Sequence, residues 1–154
     1  MKMGRYMFGA VILRNEIFIF GGNRTSNAVM NTVEKYDIDE NTWSSLPQMR
    51  NASQGASATV FMDQIYVLGG SNFNSVEVFN PQTNQWHSVS DLNHAHLGAA
   101  IFSHADSIIV AGGFDGQSDT KIIEKYDPSK NKWTVLPQEL ASEMSRMSYT
   151  QLSV

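Results

Sequence analysis

Short apolar runs separated by polar turns recur along the whole chain, and they predict β-strands rather than helices. Three of these runs, at 17–20, 65–68 and 108–111, each end in a pair of glycines. Their continuous hydrophobicity indicates strands that are covered on both faces. No amphipathic helical stretch of useful length is present, so we expect helix to be a minor component.

The apolar runs belong to an internal repeat that occurs three times. Each copy carries a glycine pair, a glutamate, an aromatic residue two positions later and a tryptophan seven positions after the aromatic residue. These residues are Gly21, Gly22, Glu34, Tyr36 and Trp43; Gly69, Gly70, Glu77, Phe79 and Trp86; and Gly112, Gly113, Glu124, Tyr126 and Trp133. Only the segment between the glycine pair and the glutamate varies in length, which is typical of stacked repeats with a tolerant surface loop.

Each copy predicts four short strands, with tight turns after the first and third strands and the variable loop after the second. The first strand leads into a turn that contains Asn15, Asp63 or Asp106, and both residue types tolerate left-handed backbone angles. We place repeat 1 at about 3–48, repeat 2 at about 49–91 and repeat 3 at about 92–138. The C-terminal residues, about 144–154, are similar to the first predicted strand and indicate the start of a fourth repeat.

Four-stranded units with glycine and aromatic marks are typical of β-propeller blades. Here the first glycines of the pairs lie 48 and 43 positions apart. The sequence resembles kelch repeats, and most of all the kelch-like group, whose longer members add a BTB dimerisation domain. This resemblance implies an all-β kelch β-propeller with three four-stranded blades plus the first strand of a fourth. We assign structural roles to the glycine pairs, at sharp strand bends, and to the tryptophans, between neighbouring blades.

Three blades do not close a propeller ring, which leaves alternative arrangements open. The chain is expected to be part of a longer propeller or half of a six-bladed ring made by two chains. Two chains would supply eight first strands for six places, which favours the first arrangement. A further alternative is an engineered or truncated half propeller whose main property is self-assembly.

Composition narrows the classes of function. The 154 residues carry a net charge of −4 and no cluster of basic residues, so we expect neither a nucleic-acid nor a membrane partner. The absence of cysteine excludes a thiol nucleophile and thiolate zinc sites. It also excludes the copper site, with a tyrosine crosslinked to a cysteine, of some kelch-fold oxidases. We therefore expect a cytoplasmic protein that is not an enzyme and needs no cofactor.

One small cluster could bind a metal ion. His94 and His96 are two positions apart and would share a face on a strand, with Asp91 as a third ligand. Two ligands and a nearby carboxylate are weak evidence, so we favour exposed loop residues and expect no metal. An enzyme or metal site in the channel mouth remains the less favoured alternative to a binding function.

The family resemblance also implies a partner-binding face at one mouth of the central channel. Kelch-like adaptors often place an arginine there about 16 positions before each glycine pair, with a hydroxyl residue before the glutamate strand and an aromatic residue after the glycines. The corresponding residues here are Arg5, Ser53, His96 and Arg146; Thr32 and Ser75; and Phe114. Such a mouth would accept a protein or an acidic or phosphorylated peptide. The function that follows is a protein-interaction module, for example the substrate-recognition part of a ubiquitin-ligase adaptor or an actin-binding protein. The alternative for Arg5 and Arg146 is that they are solvated loop charges.

Overall fold

The computed structural model describes residues 1–25, 28–72 and 74–145, which form three antiparallel four-stranded sheets. The first sheet contains β1 (Gly9–Leu13), β2 (Glu16–Phe20), β3 (Val33–Asp37) and β4 (Thr42–Leu46). The second contains β5 (Ala56–Phe61), β6 (Gln64–Gly69), β7 (Val76–Asn80) and β8 (Gln85–Ser88). The third contains β9 (Ala100–His104), β10 (Ser107–Ala111), β11 (Ile123–Asp127) and β12 (Lys132–Val135).

Each sheet is a meander in which the strands follow chain order, as expected for a propeller blade. The first strands of successive sheets lie against one another, because β1 contacts β5 and β5 contacts β9. The tryptophan strands form the opposite edge of each sheet. These findings confirm the predicted all-β architecture of three four-stranded blades. In the described ranges there is no α-helix, one 3₁₀ turn follows β6 at Gly70–Asn72, and no helix is long and apolar enough to cross a membrane.

Tight turns join the first two strands and the last two strands of each blade, and a longer loop joins the second strand to the third. In the turns after the third strands, Asn41, Asn84 and Asn131 adopt positive φ angles of 51°, 55° and 47°. The hairpins between the first two strands differ from expectation in one detail. Asp63 has a positive φ, but in blades 1 and 3 the left-handed residues are Arg14 and Ala105 rather than the neighbouring Asn and Asp. An exposed turn tolerates the modest strain of such an angle in other residue types.

Two apolar cores lie between the blades. Alternate strand residues point to opposite faces, so Phe18 and Phe20 of blade 1 pack on Ile65 and Val67 of blade 2. A second core joins blades 2 and 3 and includes Tyr66, Leu68, Val78, Ile108, Val110 and Trp133.

Trp86 and Trp133 each link their blade to the blade before it. The indole of Trp86 donates a hydrogen bond to the Pro47 carbonyl at 2.9 Å, and Trp133 donates to the Ser90 carbonyl at 3.0 Å. Trp43 lies on the outer face of blade 1 and is half-buried against Tyr36, with 5.0 Å between ring centroids. The outer face of blade 1 thus carries the residues that pack between blades elsewhere in the chain.

The glycine pairs lie where the segment leading into the next blade crosses over the end of the second strand. Gly21 has a φ of 60°, and a Cβ on it would overlap the Ser53 carbonyl oxygen. Gly69 has a φ of 69°, and a Cβ there would overlap the His96 carbonyl oxygen. Both the backbone angle and the close approach of the next segment therefore require glycine.

The chain after β12 repeats the geometry that precedes blade 2. The amide of Gly113 donates to the Met144 carbonyl at 2.6 Å, just as the amide of Gly22 donates to the Ser53 carbonyl at 2.8 Å. Met144 thus holds the backbone position that Ser53 holds at the start of blade 2. The predicted first strand of a fourth blade falls mainly in 146–154, outside the described residues.

Candidate functional site

The fold brings three of the predicted channel-mouth residues to one end of the blades, but their side chains point inward. Arg5, Ser53 and His96 are 8%, 6% and 0% exposed. Each side chain bonds to the carbonyl of the first glycine of its own blade. The acceptors are Gly21 for Arg5 at 2.8 Å, Gly69 for Ser53 at 3.3 Å and Gly112 for His96 at 2.5 Å. These residues therefore hold the ends of the second strands in this structure.

The repeated glutamates, which were noted in the sequence without a role, are buried beneath these residues. Glu34, Glu77 and Glu124 are 2%, 6% and 0% exposed. The Glu77 carboxylate accepts backbone amides of Arg50 at 2.8 Å and Asn51 at 3.0 Å. The segment that leads into each blade is thus bonded to the glutamate of that blade. In the sequence, this buried role was indicated by a glutamate that recurs at fixed spacing within an apolar strand.

The three glutamates have different partners. Arg5 lies 3.6 Å from Glu34, and the Nε2 atom of His96 lies 3.2 Å from Glu124. Within the described ranges no cationic side chain forms an ion pair with Glu77. Ser53 is too short to replace Arg or His, and it lines a cavity of about 10 Å³ beside Glu77. This space is about the size of one water molecule.

The pKa directions follow from these contacts. Burial raises the pKa of the Glu124 carboxyl, but hydrogen bonds from His96 and from the loop residues Asn93 and His94 outweigh it, so the net pKa is lowered. Burial lowers the pKa of Arg5, and the Glu34 carboxylate opposes that change. Because an arginine keeps its proton in proteins, the positive charge that faces Glu34 is present at every accessible pH.

The remaining predicted residues are distributed around the same end. Thr32 and Ser75 are half-buried; the Thr32 carbonyl accepts a hydrogen bond from Arg5 at 3.0 Å, and Ser75 lines the small cavity near Glu77. Phe114 is half-buried and pairs through its backbone with Leu97. Arg146 lies outside the described residues. Arg5 and His96 were expected to meet an acidic ligand, but in the described structure they face the buried Glu34 and Glu124.

The histidine cluster does not form a metal site in this structure. Both ring nitrogens of His96 face protein acceptors, Gly112 and Glu124, so they are not directed at a metal shared with His94. Within the described ranges no group of three or more His, Asp or Glu side chains is arranged to hold a metal ion.

A polar groove opens at the same end, between the loops of blades 2 and 3. We call it the blade 2–3 groove, and its volume is about 390 Å³. It is lined by Asn74, Asn93, His94, Ala95, Asp115, Gly116 and Gln117. Sequence reasoning did not identify it. The available signal was the variable segment after each glycine pair, because loops of variable length at one end of a repeat array often carry binding residues.

Asp115 fixes one wall of the groove. Its carboxylate accepts the backbone amides of Ser118 at 2.8 Å and Gln117 at 2.7 Å. These backbone hydrogen bonds lower the pKa of the exposed Asp115 carboxyl, with a further contribution from the charge of His94. The groove therefore combines a carboxylate with amide and imidazole groups.

The radial meanders, glycine pairs and inter-blade tryptophans define the class of the molecule as a kelch-type β-propeller segment. Residues 1–154 match the KLHDC2/KLHL20/DRC7 Kelch-repeats domain, and the chain belongs to this family.

Individual relatives support the same assignment at low identity. The chain is 34% identical to Kelch-like protein 40 of Xenopus laevis over 70 residues, which cover 46% of this chain and 11% of that protein. It is 31% identical to Kelch-like protein 28 of Mus musculus over 77 residues, which cover 46% and 14%. It is 28% identical to an F-box/kelch-repeat protein of Arabidopsis thaliana over 74 residues, which cover 47% and 20%. The match thus spans a fifth or less of the length of each of these relatives.

Among solved structures, that of YjhT superposes with a TM-score of 0.77 and 20% sequence identity. The superposition covers 92% of this chain and 54% of YjhT. At this identity the likeness shows the fold alone.

Proposed function

We propose that the chain is a protein-interaction module that binds a peptide or a protein segment in the blade 2–3 groove. Kelch repeats are typically protein-interaction modules, and the chain belongs to a kelch family. The observation that carries the proposal is the groove itself, an open polar concavity of about 390 Å³ formed by loops on a rigid β scaffold. Loops held by such a scaffold are common sites of binding.

The chemistry of the groove suits an extended peptide. Asn74, Asn93 and Gln117 offer both amide donors and carbonyl acceptors, which match the alternating polar groups of a peptide backbone. His94 and Asp115 add one titratable ring and one carboxylate at the rim. A partner segment with hydrogen-bonding groups and a basic side chain would complement this set better than a strongly acidic one.

The finer form of the proposal is a substrate-recognition part of a ubiquitin-ligase adaptor in the cytoplasm. Its support is the resemblance to the kelch-like group and the presence of F-box/kelch-repeat proteins among the relatives. The module itself would do no chemistry and would need no cofactor. Actin binding is a second role of the same kind, since both require only a bound protein partner.

A peptide array tests the proposal with a matched pair of variants. Labelled wild-type protein should bind a subset of peptides, and the double variant His94→Ala/Gln117→Ala should bind those peptides at least 10-fold more weakly. The control His87→Ala/Gln85→Ala removes the same residue types from exposed positions on β8. Equal loss of binding in both variants, or undiminished binding in the groove variant, would contradict the proposal.

A second candidate function is self-assembly, favoured by the outer faces of the terminal blades. On blade 1, Ile12 is 59% exposed, and Trp43 forms an aromatic pair with Tyr36 on the outer face of the blade. Association of two copies through such faces would bring six blades together. Light scattering on a sizing column measures the molar mass in solution and tests self-assembly. A mass of about twice 17.2 kDa supports a two-chain assembly, and a mass of 17.2 kDa contradicts it.

A further inference from the structure

His96 is held between two groups that only accept hydrogen bonds. Its ring has no exposure to solvent, with Nδ1 2.5 Å from the Gly112 carbonyl and Nε2 3.2 Å from the Glu124 carboxylate. A carbonyl oxygen and an ionised carboxylate have no proton to donate. Both contacts are hydrogen bonds only when both ring nitrogens carry protons, so the geometry fits the charged imidazolium form of His96.

The partner of His96 also holds one wall of the blade 2–3 groove. The Glu124 oxygen that faces His96 accepts the backbone amide of His94 at 2.8 Å. The other oxygen accepts the backbone amide of Asn93 at 3.0 Å and its side-chain amide at 2.6 Å. Asn93 and His94 line the groove. The charge balance around Glu124 is therefore connected directly to the position of the groove wall.

Loss of one His96 proton would remove the positive charge beside the Glu124 carboxylate and would leave a ring lone pair facing either that carboxylate or the Gly112 carbonyl. Breaking a buried ion pair by neutralising one partner leaves the other charge uncompensated, which is destabilising. The titratable group that contacts the ring is Glu124 on β11; His94 and Asp115 lie at the rim of the groove. On the side of blade 2, the Gly69 backbone lies against the His96 carbonyl. Among the described residues, no second cation is paired with Glu124.

The other two blades supply internal comparisons. Blade 1 has Arg5 in the place of His96, and the arginine keeps its positive charge at every accessible pH. Blade 2 has Ser53, which carries no charge at any pH. Blade 3 alone of the three has an imidazole at this place, and imidazole is the side chain that normally titrates between pH 5 and 8.

We propose that the His96–Glu124 pair is a pH-sensitive switch that orders the wall of the blade 2–3 groove when His96 is protonated and loosens it when the proton is lost. The imidazolium–carboxylate pair is the low-pH form, and it is lost once the pH is high enough to remove a proton from the ring. The effect of this switch on ligand binding rests on the proposed function of the groove. The effect on the order of the groove wall is independent of that function.

Amide hydrogen exchange measured by NMR between pH 5.5 and 9 tests the switch. After correction for intrinsic exchange, the amides of Asn93 and His94 should lose at least 10-fold protection as the pH rises. The amides of Arg50 and Asn51, which bond to Glu77, are controls in the same sample and should stay constant. An equal loss at all four amides would reflect general loosening of the molecule and would overturn the proposal.

Two variants separate the charge of His96 from its packing. His96→Arg installs the residue of blade 1 and should keep Asn93 and His94 protected across the whole pH range. His96→Gln keeps a polar side chain without a titratable charge and should give low protection that does not change with pH. If the folded Gln variant shows the pH profile of the wild type, another group titrates and the proposal is wrong. This result is informative even if the Arg variant does not fold.

A second readout links the switch to binding. A peptide selected on the array should bind the wild-type protein at least 5-fold more tightly at pH 6 than at pH 8.5, and should bind His96→Arg equally at both. If exchange follows the prediction but the affinity does not, the regulation of binding is overturned while the structural switch stands. If the peptide depends on the groove but exchange is independent of pH, the proposed function stands and the switch is wrong.

Discussion

The segments that lead into blades 2 and 3 have the same backbone path but different buried side chains. In both, two consecutive amides bond to a buried glutamate, Glu77 or Glu124, and a carbonyl crosses a glycine of the preceding blade. Above the glutamate, blade 2 has Ser53 with a small cavity and blade 3 has His96 in an ion pair. The backbone path is therefore set by the glycine and the glutamate, while the third residue is free to vary and to acquire a function.

The largest expected effect comes from breaking the junction between blades 2 and 3. Trp133 is 2% exposed and bonds to the preceding blade, so Trp133→Ala should lower the free energy of unfolding by about 3–5 kcal/mol. Trp43→Ala is the matched control. It removes the same side chain from the outer face of blade 1 and should cost only about 1–2 kcal/mol. Urea denaturation measures both, and equal losses would contradict the assigned positions of the two tryptophans.

A smaller effect is expected from adding one methyl group where the lead-in segment crosses. Gly69→Ala places a Cβ against the His96 carbonyl at a φ of 69° and should destabilise the protein by about 2 kcal/mol. A Cβ added to Gly4 would meet no atom within 4 Å, so Gly4→Ala should change stability by less than about 0.5 kcal/mol. Thermal denaturation of the pair distinguishes a steric requirement from a general intolerance of alanine.

The smallest effect is expected from making the two lead-in segments alike. Ser53→His would place an imidazole beside Glu77, which requires the small cavity there to widen, and would give that carboxylate a cationic partner. We expect a gain of about 1 kcal/mol at pH 6 that is lost by pH 9, since only the protonated ring pairs with the carboxylate. Chemical denaturation at the two pH values checks it. A loss of stability at both values would show that the cavity does not accommodate the ring.

The fold was predictable because its determinants are local and repeated. The apolar run before Gly21, the turn asparagine Asn41 and the tryptophan Trp43 recur at regular spacing, and each specifies a strand or a turn. The threefold repeat predicted stacked blades, because a single copy cannot bury both faces of its sheet without a neighbouring copy. The left-handed angles at Arg14 and Ala105 were not predictable, because tertiary hairpin geometry overrides the weak preference of neighbouring Asn and Asp residues.

The site was predicted less well than the fold. Arg5 and His96 were predicted at a channel mouth and lie at one end of the blades, but the sequence gave no sign that their charges face buried glutamates. Their partners, Glu34 and Glu124, are 29 and 28 positions away, and such long-range pairing depends on how the strands are arranged in space. The groove combines loops from two blades, so no local motif marks it. Conversely, the fixed spacing of the glutamates was visible and indicated a buried role that the sequence reasoning did not assign.

A double-mutant cycle between His96 and Glu124 tests the central comparison most directly. The cycle uses His96→Gln, Glu124→Gln and the double variant, with unfolding free energies measured at pH 6 and pH 9. A parallel cycle with Ser53→Ala and Glu77→Gln serves as the reference. We predict a coupling energy of about 1.5–3 kcal/mol for His96–Glu124 at pH 6 that falls towards zero at pH 9, and a small, constant coupling for Ser53–Glu77. Equal coupling in the two cycles, or a His96–Glu124 coupling that does not change with pH, would contradict the account.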